Sequence, residues 1–247
     1  MINAAGATVF RVALGGHRLT ITHTDGFPVE SVTVDTLQLA SGERYDLAVT
    51  LADGAFPLVA VAEGKNAQAL GVIRTATGPT PPPDANPTEL AGRLLDLTDL
   101  RAAPAVRTAQ RPPDVSHTAY LTGDMNTFAW RINAQTYNHH RPYDGITPMT
   151  VHEGQHVQLV LVNQTPMYHP MHLHGHTFTV RAAGDSGGTT ETPLPAGIRK
   201  DTVMVAPGDR LTIDFTADNP GQWLVHCHNA YHMATGMAAM LSYRTQP

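Results

Sequence analysis

The sequence predicts an all-β protein built from two sandwich domains, and three observations carry that reading. Charged residues make up only 15% of the 247, well below the roughly 25% of an average globular chain. Turn residues are frequent, with 21 glycines and 19 prolines. Between the turn signals apolar residues recur at every second position, the period of a half-buried strand, and few stretches carry a helical period. At 42% apolar residues the chain can bury a core without staples. Its length suits one large domain or two of ordinary size.

The elements follow in order. Val9, Phe10, Val12 and Leu14 form the first alternation, closed by Gly15-Gly16, and Leu19 and Ile21 resume it. Residues 24–28, Thr-Asp-Gly-Phe-Pro, read as a loop. Ser31 to Leu39 alternates again, Ser41-Gly42 turns, Tyr45 to Leu51 is a strand, Asp53-Gly54 turns, and Phe56 to Val61 follows. Residues 75–87 are proline-rich and extended, as in a linker. A second loose stretch, 101–116, holds Pro104, Pro112 and Pro113. The expected division is a first domain over 1–100, a linker over 101–116 and a second domain over 117–247. In the second domain strands are expected at Phe128–Ile132, Met149–Val151, His156–Val162, Thr177–Arg181, Thr202–Val205, Leu211–Phe215, Trp223–Cys227 and Met237–Tyr243, with a helical turn or two within 228–235. A weak internal repeat links the halves. Ser41-Gly-Glu-Arg44 and Pro207-Gly-Asp-Arg210 each open a strand, and Val59-Ala60-Val61 then falls where His226-Cys227-His228 falls. The first copy thus carries no metal-binding groups at that point.

Composition narrows the function. The formal net charge is -5, so nothing tracks a phosphate backbone and nucleic acid is not an expected partner. No run approaches the roughly 20 apolar residues of a membrane span. Met1-Ile-Asn-Ala-Ala-Gly has neither a basic n-region nor an apolar h-region, so no secretory signal is expected in this chain. Strand alternation begins almost at once, as if the chain starts inside a fold.

Fourteen histidines and a single cysteine, Cys227, are the chemically pointed residues. One cysteine forms no internal disulfide, and between two histidines it reads as a ligand or reactive thiol. In a strand, His226 and His228 face one side and Cys227 the other. One thiolate can then hold a metal on one face while two imidazoles hold metal on the opposite face. His232 and Met237 follow closely enough to fold back onto the thiolate, and His169 offers a second imidazole. Two His, one Cys and a weak Met make the set that selects a blue-copper site, whereas zinc would not ask for a thioether. His172 and His174, spaced by two, can face the same metal cluster as His226 and His228. Pro170 keeps His169 out of helical backbone and presents it separately. For His17, His23, His117, His139, His140, His152 and His156 a structural role is expected. For His176 the expectation is packing or hydrogen bonding beside a ligand.

His169-Pro-Met-His172-Leu-His174-Gly-His176 and His226-Cys227-His228-Asn-Ala-Tyr-His232-Met-Ala-Thr-Gly-Met237 resemble the two C-terminal copper motifs of the multicopper oxidases, the family of laccases and related copper oxidases. Residues 16–30, Gly-His-Arg-Leu-Thr-Ile-Thr-His-Thr-Asp-Gly-Phe-Pro-Val-Glu, resemble the family's middle domain. The resemblance implies two cupredoxin-like Greek-key sandwiches. It implies that His169, Cys227, His232 and Met237 hold a type 1 copper, that His172 binds type 2 copper, and that His174, His226 and His228 bind the type 3 pair. It implies a laccase-like enzyme that takes single electrons from a small reducing substrate and passes them through Cys227, His226 and His228 to a cluster that reduces O2 to water. It also implies export to the periplasm or the cell exterior.

The chain departs from the family in one large way. Three-domain members carry two His-X-His motifs in an N-terminal cupredoxin domain, and no such motif occurs here outside the two segments above. Four of the eight cluster ligands are present, so the type 1 site is expected to be complete and the type 2 and type 3 sites partial. A missing N-terminal domain or another chain would supply the rest. Tyr231 stands where some relatives have an acidic residue implicated in proton delivery. Met237 as axial ligand implies a lower potential than an apolar residue would give. The nine methionines are scattered, which points to phenolic or other small organic donors rather than cuprous ions. The competing reading is a type 1 electron-transfer protein without oxidase activity. A two-domain nitrite reductase fits poorly, because cluster histidines flank the cysteine.

Overall fold

The computed structural model describes residues 1–142, 144–188 and 190–244. By internal contacts the chain divides into two units, Met1–Leu100 and Arg101–Pro247.

The first unit holds β1 (Phe10–Leu14), β2 (Leu19–Thr24), β3 (Phe27–Val34), β4 (Leu37–Leu39), β5 (Tyr45–Ala48), β6 (Ala55–Ala62) and β7 (Gln68–Arg74). They form a four-stranded sheet, β4-β1-β6-β7, and a three-stranded sheet, β3-β2-β5. Inward residues of alternating strands make the core, among them Val12, Leu14, Leu19, Ile21, Val34, Leu37 and Val59. Three sequence readings change here. The loop expected over 24–28 shrinks to Asp25-Gly26, with φ of 48° and 86°. Two left-handed residues make the tight hairpin turn that matches strand twist, so Phe27 and Pro28 already pair with Thr24 and His23. The strand from Tyr45 stops at Ala48, short of Leu51. Strand β7 escapes the periodicity because none of its residues is buried. The proline-rich 75–87 stretch lies within this unit, where Gln68 Nε2 donates to Ala85 O at 3.1 Å.

The second unit holds β8 (Val115–Asp124), β9 (Ala129–Ile132), β10 (Met149–Val151), β11 (His156–Asn163), β12 (His169–Leu173), β13 (Phe178–Asp185), β14 (Glu191–Lys200), β15 (Thr202–Val205), β16 (Asp209–Thr216), β17 (Gln222–Cys227), α1 (Ala230–Ala234) and β18 (Ala238–Tyr243). One sheet runs β10-β18-β17-β12-β15 and the other β14-β13-β16-β11-β8-β9. The stretch expected as a linker, 101–116, is instead fastened along this unit. Ala102 N donates to Gly197 O at 2.9 Å, and Arg181 donates to Thr108 Oγ1 at 2.6 Å while pairing with the buried Asp214. Val115 opens β8, which pairs parallel with β11.

Candidate metal centre

Strands β12 and β17 are antiparallel neighbours, with Met171 opposite Cys227 and His172 opposite His226. Residues directly opposite share a face. Cys227 therefore shares its face with Met171 and, two residues earlier on β12, His169. His226 and His172 share the other face. Two motifs more than fifty residues apart in sequence become one element, with thiol and imidazole on one side and imidazoles on the other.

On the cysteine side, His169 and Cys227 are fully buried and His232 nearly so. Their ligand atoms form a small triangle. His169 Nδ1 and His232 Nδ1 are 3.0 Å apart, and each lies 3.7 Å from Cys227 Sγ. A point equidistant from the three atoms is about 2.0 Å from each, close to the metal–nitrogen and metal–thiolate bond lengths of imidazole–thiolate sites. Helix α1 delivers His232. Its N-cap, Asn229, accepts through Oδ1 from Tyr231 N and His232 N, satisfying free helix donors, while Asn229 N donates to Cys227 Sγ at 3.4 Å. The outer nitrogens of the two rings are held as well. His169 Nε2 lies 2.7 Å from Thr165 Oγ1, and His232 Nε2 lies 3.2 Å from Asn229 Nδ2. Met237 is buried, and its backbone is tied beside the thiol. Cys227 N donates to Met237 O at 3.1 Å, and Met237 N to His232 O at 2.8 Å.

Burial sets the protonation of this triangle. Cys227 is pushed up to about 12 by desolvation, against which the Asn229 N–H acts. His169 is pushed down to about 3 by desolvation and by the neighbouring His232, and His232 to about 4 by desolvation. The imidazoles are neutral and ready to donate lone pairs, while the thiol keeps its proton until a cation replaces it.

On the opposite face the rings of His172, His174, His226 and His228 converge. Ring centres are 4.9 Å apart for His172 and His174, 5.1 Å for His172 and His228, 4.9 Å for His174 and His226, and 5.1 Å for His226 and His228. His172 Nδ1 donates to Asp201 O at 2.7 Å and His226 Nδ1 to Cys227 O at 3.0 Å. Each Nε2 is thereby left as a lone pair. The Nε2 atoms of His174 and His226 face each other at 2.9 Å. Desolvation lowers both, His226 to about 4, and neighbouring imidazoles add to the effect. A cleft of about 820 Å³ opens beside His172, lined also by His176, Arg199, Asp201 and Asp218.

His176 stands apart from this group. Its Nδ1 donates to His174 O at 3.1 Å, so its Nε2 accepts from Tyr243 OH at 2.6 Å, and no lone pair is left for a metal. Several of the remaining histidines are occupied locally. His17 bridges Gly15 O and Ala52 N, His117 meets Thr150 O, and His156 lies 3.3 Å from Asp214. The sequence reading missed Trp130. It is fully buried, with its ring 3.9 Å from that of His232 and 5.4 Å from that of His169. Its only trace in the sequence is its inward position, shared with Ile132, on β9. Thr165 and Asn229 were missed too, although Asn three residues before His232 is a readable helix cap.

The sequence model of a family described as Multicopper oxidase matches residues 110–247, and a second model of that description matches residues 1–78. Among curated proteins the chain is similar to Multicopper oxidase MmcO of Mycobacterium tuberculosis. It is 43% identical over 243 residues, which are 98% of this chain and 45% of that protein. It is also similar to Laccase-2 of Podospora anserina, 27% identical over 298 residues, with 96% and 46% of the two chains covered. Among solved structures it is similar to Fet3p, a multicopper oxidase that functions in iron import. The TM-score there is 0.79 at 21% identity, covering 98% of this chain and 54% of that one. For the laccase from Botrytis aclada the TM-score is 0.73 at 25% identity, covering 97% and 50%. The chain spans about half the length of the curated relatives it matches.

Proposed function

Because this chain belongs to the multicopper oxidase family and has its cupredoxin-like sandwich fold, we propose that it is the part of a copper oxidase that accepts single electrons from a reducing substrate and carries them toward O2. The observation that carries the reading is the back-to-back arrangement. A metal-sized His169–Cys227–His232 triangle lies on one face of β17, and four converging imidazoles lie on the other. Copper bound in the triangle supplies one-electron redox chemistry.

The chain's own residues do the rest. His169, Cys227 and His232 would hold the type 1 ion, with the Met237 thioether as a further, weak donor that would favour a moderate potential. Cys227 joins this site through the backbone to His226 and His228, a short covalent path between the faces. His172 is assigned to type 2 copper, and His174, His226 and His228 to the type 3 pair. Asp201 O fixes the ring of His172. Four further imidazoles, from another domain or another chain, would be needed to complete the cluster. Phenolic or other small organic donors fit the scattered methionines. Family membership supports a place outside the cytoplasm, and no helix among the described residues is long and apolar enough to cross a membrane.

The second reading, electron transfer without oxygen reduction, is favoured for the chain by itself, because it supplies four of eight cluster ligands. One experiment addresses both. Loading with Cu(II) should give about one tightly held, intensely coloured copper per chain, the colour should vanish in Cys227→Ser, and oxygen uptake with a phenol should stay at background. A colourless loaded protein would sink the type 1 assignment. Sustained four-electron oxygen reduction by the chain alone would overturn the count of missing ligands.

A further inference from the structure

Trp130 sits where neither ligand set claims it, and its surroundings are built around it. On β8, Gly123 pairs directly with Trp130. A side chain at Gly123 would come within 2.7 Å of indole Cε3, so the ring lies across a position with no Cβ. On the other side, Gly236 packs against the Trp130 backbone. A methyl group there would stand 2.6 Å from Trp130 O. The indole then lies over the His232 ring, 3.9 Å between ring centres, and meets the His169 ring edge to face at 5.4 Å. A buried tryptophan held only for its bulk normally places its N–H on an acceptor. Trp130 Nε1 is buried and has none among the described residues. Leaving a buried donor unpaired is destabilising, so hydrogen bonding does not hold the indole here, and its contacts are those of the ring face and edge with the two imidazoles.

We propose that Trp130 is a positioning residue of the type 1 site: its indole fixes the rings of His169 and His232 and keeps water from them, which raises the site's reduction potential. The physical reason is charge. With a thiolate ligand, the oxidised site carries one more positive charge than the reduced site, so water admitted beside the imidazoles stabilises the oxidised form. The apolar shell around a metal thus sets its potential through solvent access. A ring locked on both imidazoles also limits how far they shift between the two oxidation states.

The proposal rests on His169, Cys227 and His232 being the type 1 ligands, and the test separates the two claims. Copper-loaded wild type, Trp130→Phe and Trp130→Ala chains are equilibrated with a redox mediator poised at the wild-type midpoint. The charge-transfer band and the copper hyperfine splitting are recorded in parallel. In Trp130→Ala the ratio of reduced to oxidised copper should fall about tenfold, about 59 mV for a one-electron couple, with a changed hyperfine splitting. Trp130→Phe, which keeps a ring and loses the N–H, should stay within about threefold of wild type and keep its splitting. If the alanine variant does not fold, Trp130→Leu is measured in its place and should also fall at least threefold. An alanine or leucine variant with wild-type ratio and splitting would reduce Trp130 to core packing and overturn the proposal. A phenylalanine variant that falls as far as alanine would overturn it too, by assigning the effect to the N–H. A colourless wild type would instead overturn the ligand assignment itself.

Discussion

Metal loading of the His169–Cys227–His232 triangle should release one proton per ion, and this fixes a pH slope that can be measured. Burial holds Cys227 up at about 12 and holds His169 and His232 down at about 3 and about 4. Between roughly pH 5.5 and 8, then, the metal-free site carries one removable proton, on the thiol, and none on the imidazoles. Each pH unit should raise the apparent affinity about tenfold, so pH 6 to pH 8 amounts to about a hundredfold, or about 2.8 kcal/mol. Cobalt(II) is the suitable probe because it does not oxidise thiols. Its thiolate charge-transfer band reports this site alone, with Cys227→Ser as the blank against the other histidines. Titration against a competing chelator at several pH values gives the slope. A slope near zero would mean that the thiol is already ionised in the empty site. A slope of two or three would mean that the imidazoles are protonated before loading. Either result would refute the reading of burial as the controlling force.

The same burial predicts acid lability of the metal-free chain. The folded-state values of His169, His226 and His232 lie below the ordinary 6.5, so the unfolded chain binds more protons as pH falls. Their contribution is fully present above about pH 6.5 and is lost on acidification toward about pH 4 for His226 and His232 and about pH 3 for His169, with His169 alone giving about 1.4 kcal/mol per pH unit. Denaturant unfolding at pH 7 and pH 5 checks it, and equal stabilities would contradict it. Gly236→Ala should cost about 2–3 kcal/mol and shift the blue band. The new methyl group would stand 2.4 Å from Thr136 Cγ2 and 2.6 Å from Trp130 O at a φ of 122°, beside Met237. An unchanged unfolding midpoint and spectrum would show that the Trp130 backbone yields freely.

What was legible in the sequence is what depends on local period. The alternation of His226, Cys227 and His228 needs only strand geometry, and the strands whose one face is buried announce themselves by apolar spacing. Strands β7 and β14 were hidden for the opposite reason. The first has no buried face, and the second, with Pro193 and Pro195, lies at a sheet edge where missing donors are tolerated. Strand β12, His-Pro-Met-His-Leu, has no readable alternation because His169 takes an inward position beside Met171 and Leu173 while Pro170 on the other face is buried too. The 101–116 stretch looked loose because its prolines say so, while its anchors, Ala102 to Gly197 and Thr108 to Arg181, are long-range. Trp130 was invisible as a site residue for the same reason, since nothing within β9 tells that its ring will meet imidazoles from β12 and α1.

The register of β12 on β17 therefore decides whether the two motifs make one centre. With His172 opposite His226 and Met171 opposite Cys227, His169 lands on the cysteine face and His172 on the other. Because side chains alternate with a period of two, a slip of one residue would invert this set. His172 would face the thiol, His169 would turn toward the cluster, and neither site would keep its ligands. The register is held from both ends. His228 N donates to Pro170 O at 2.6 Å and His174 N to Leu224 O at 2.9 Å, both backbone bonds that a slipped pairing would break. Proline at 170 has no N–H to give, but the carbonyl it contributes is the one that receives His228. The motif residues thus supply the proposed metal-binding groups, and also the hydrogen bonds that keep the groups on their proper sides.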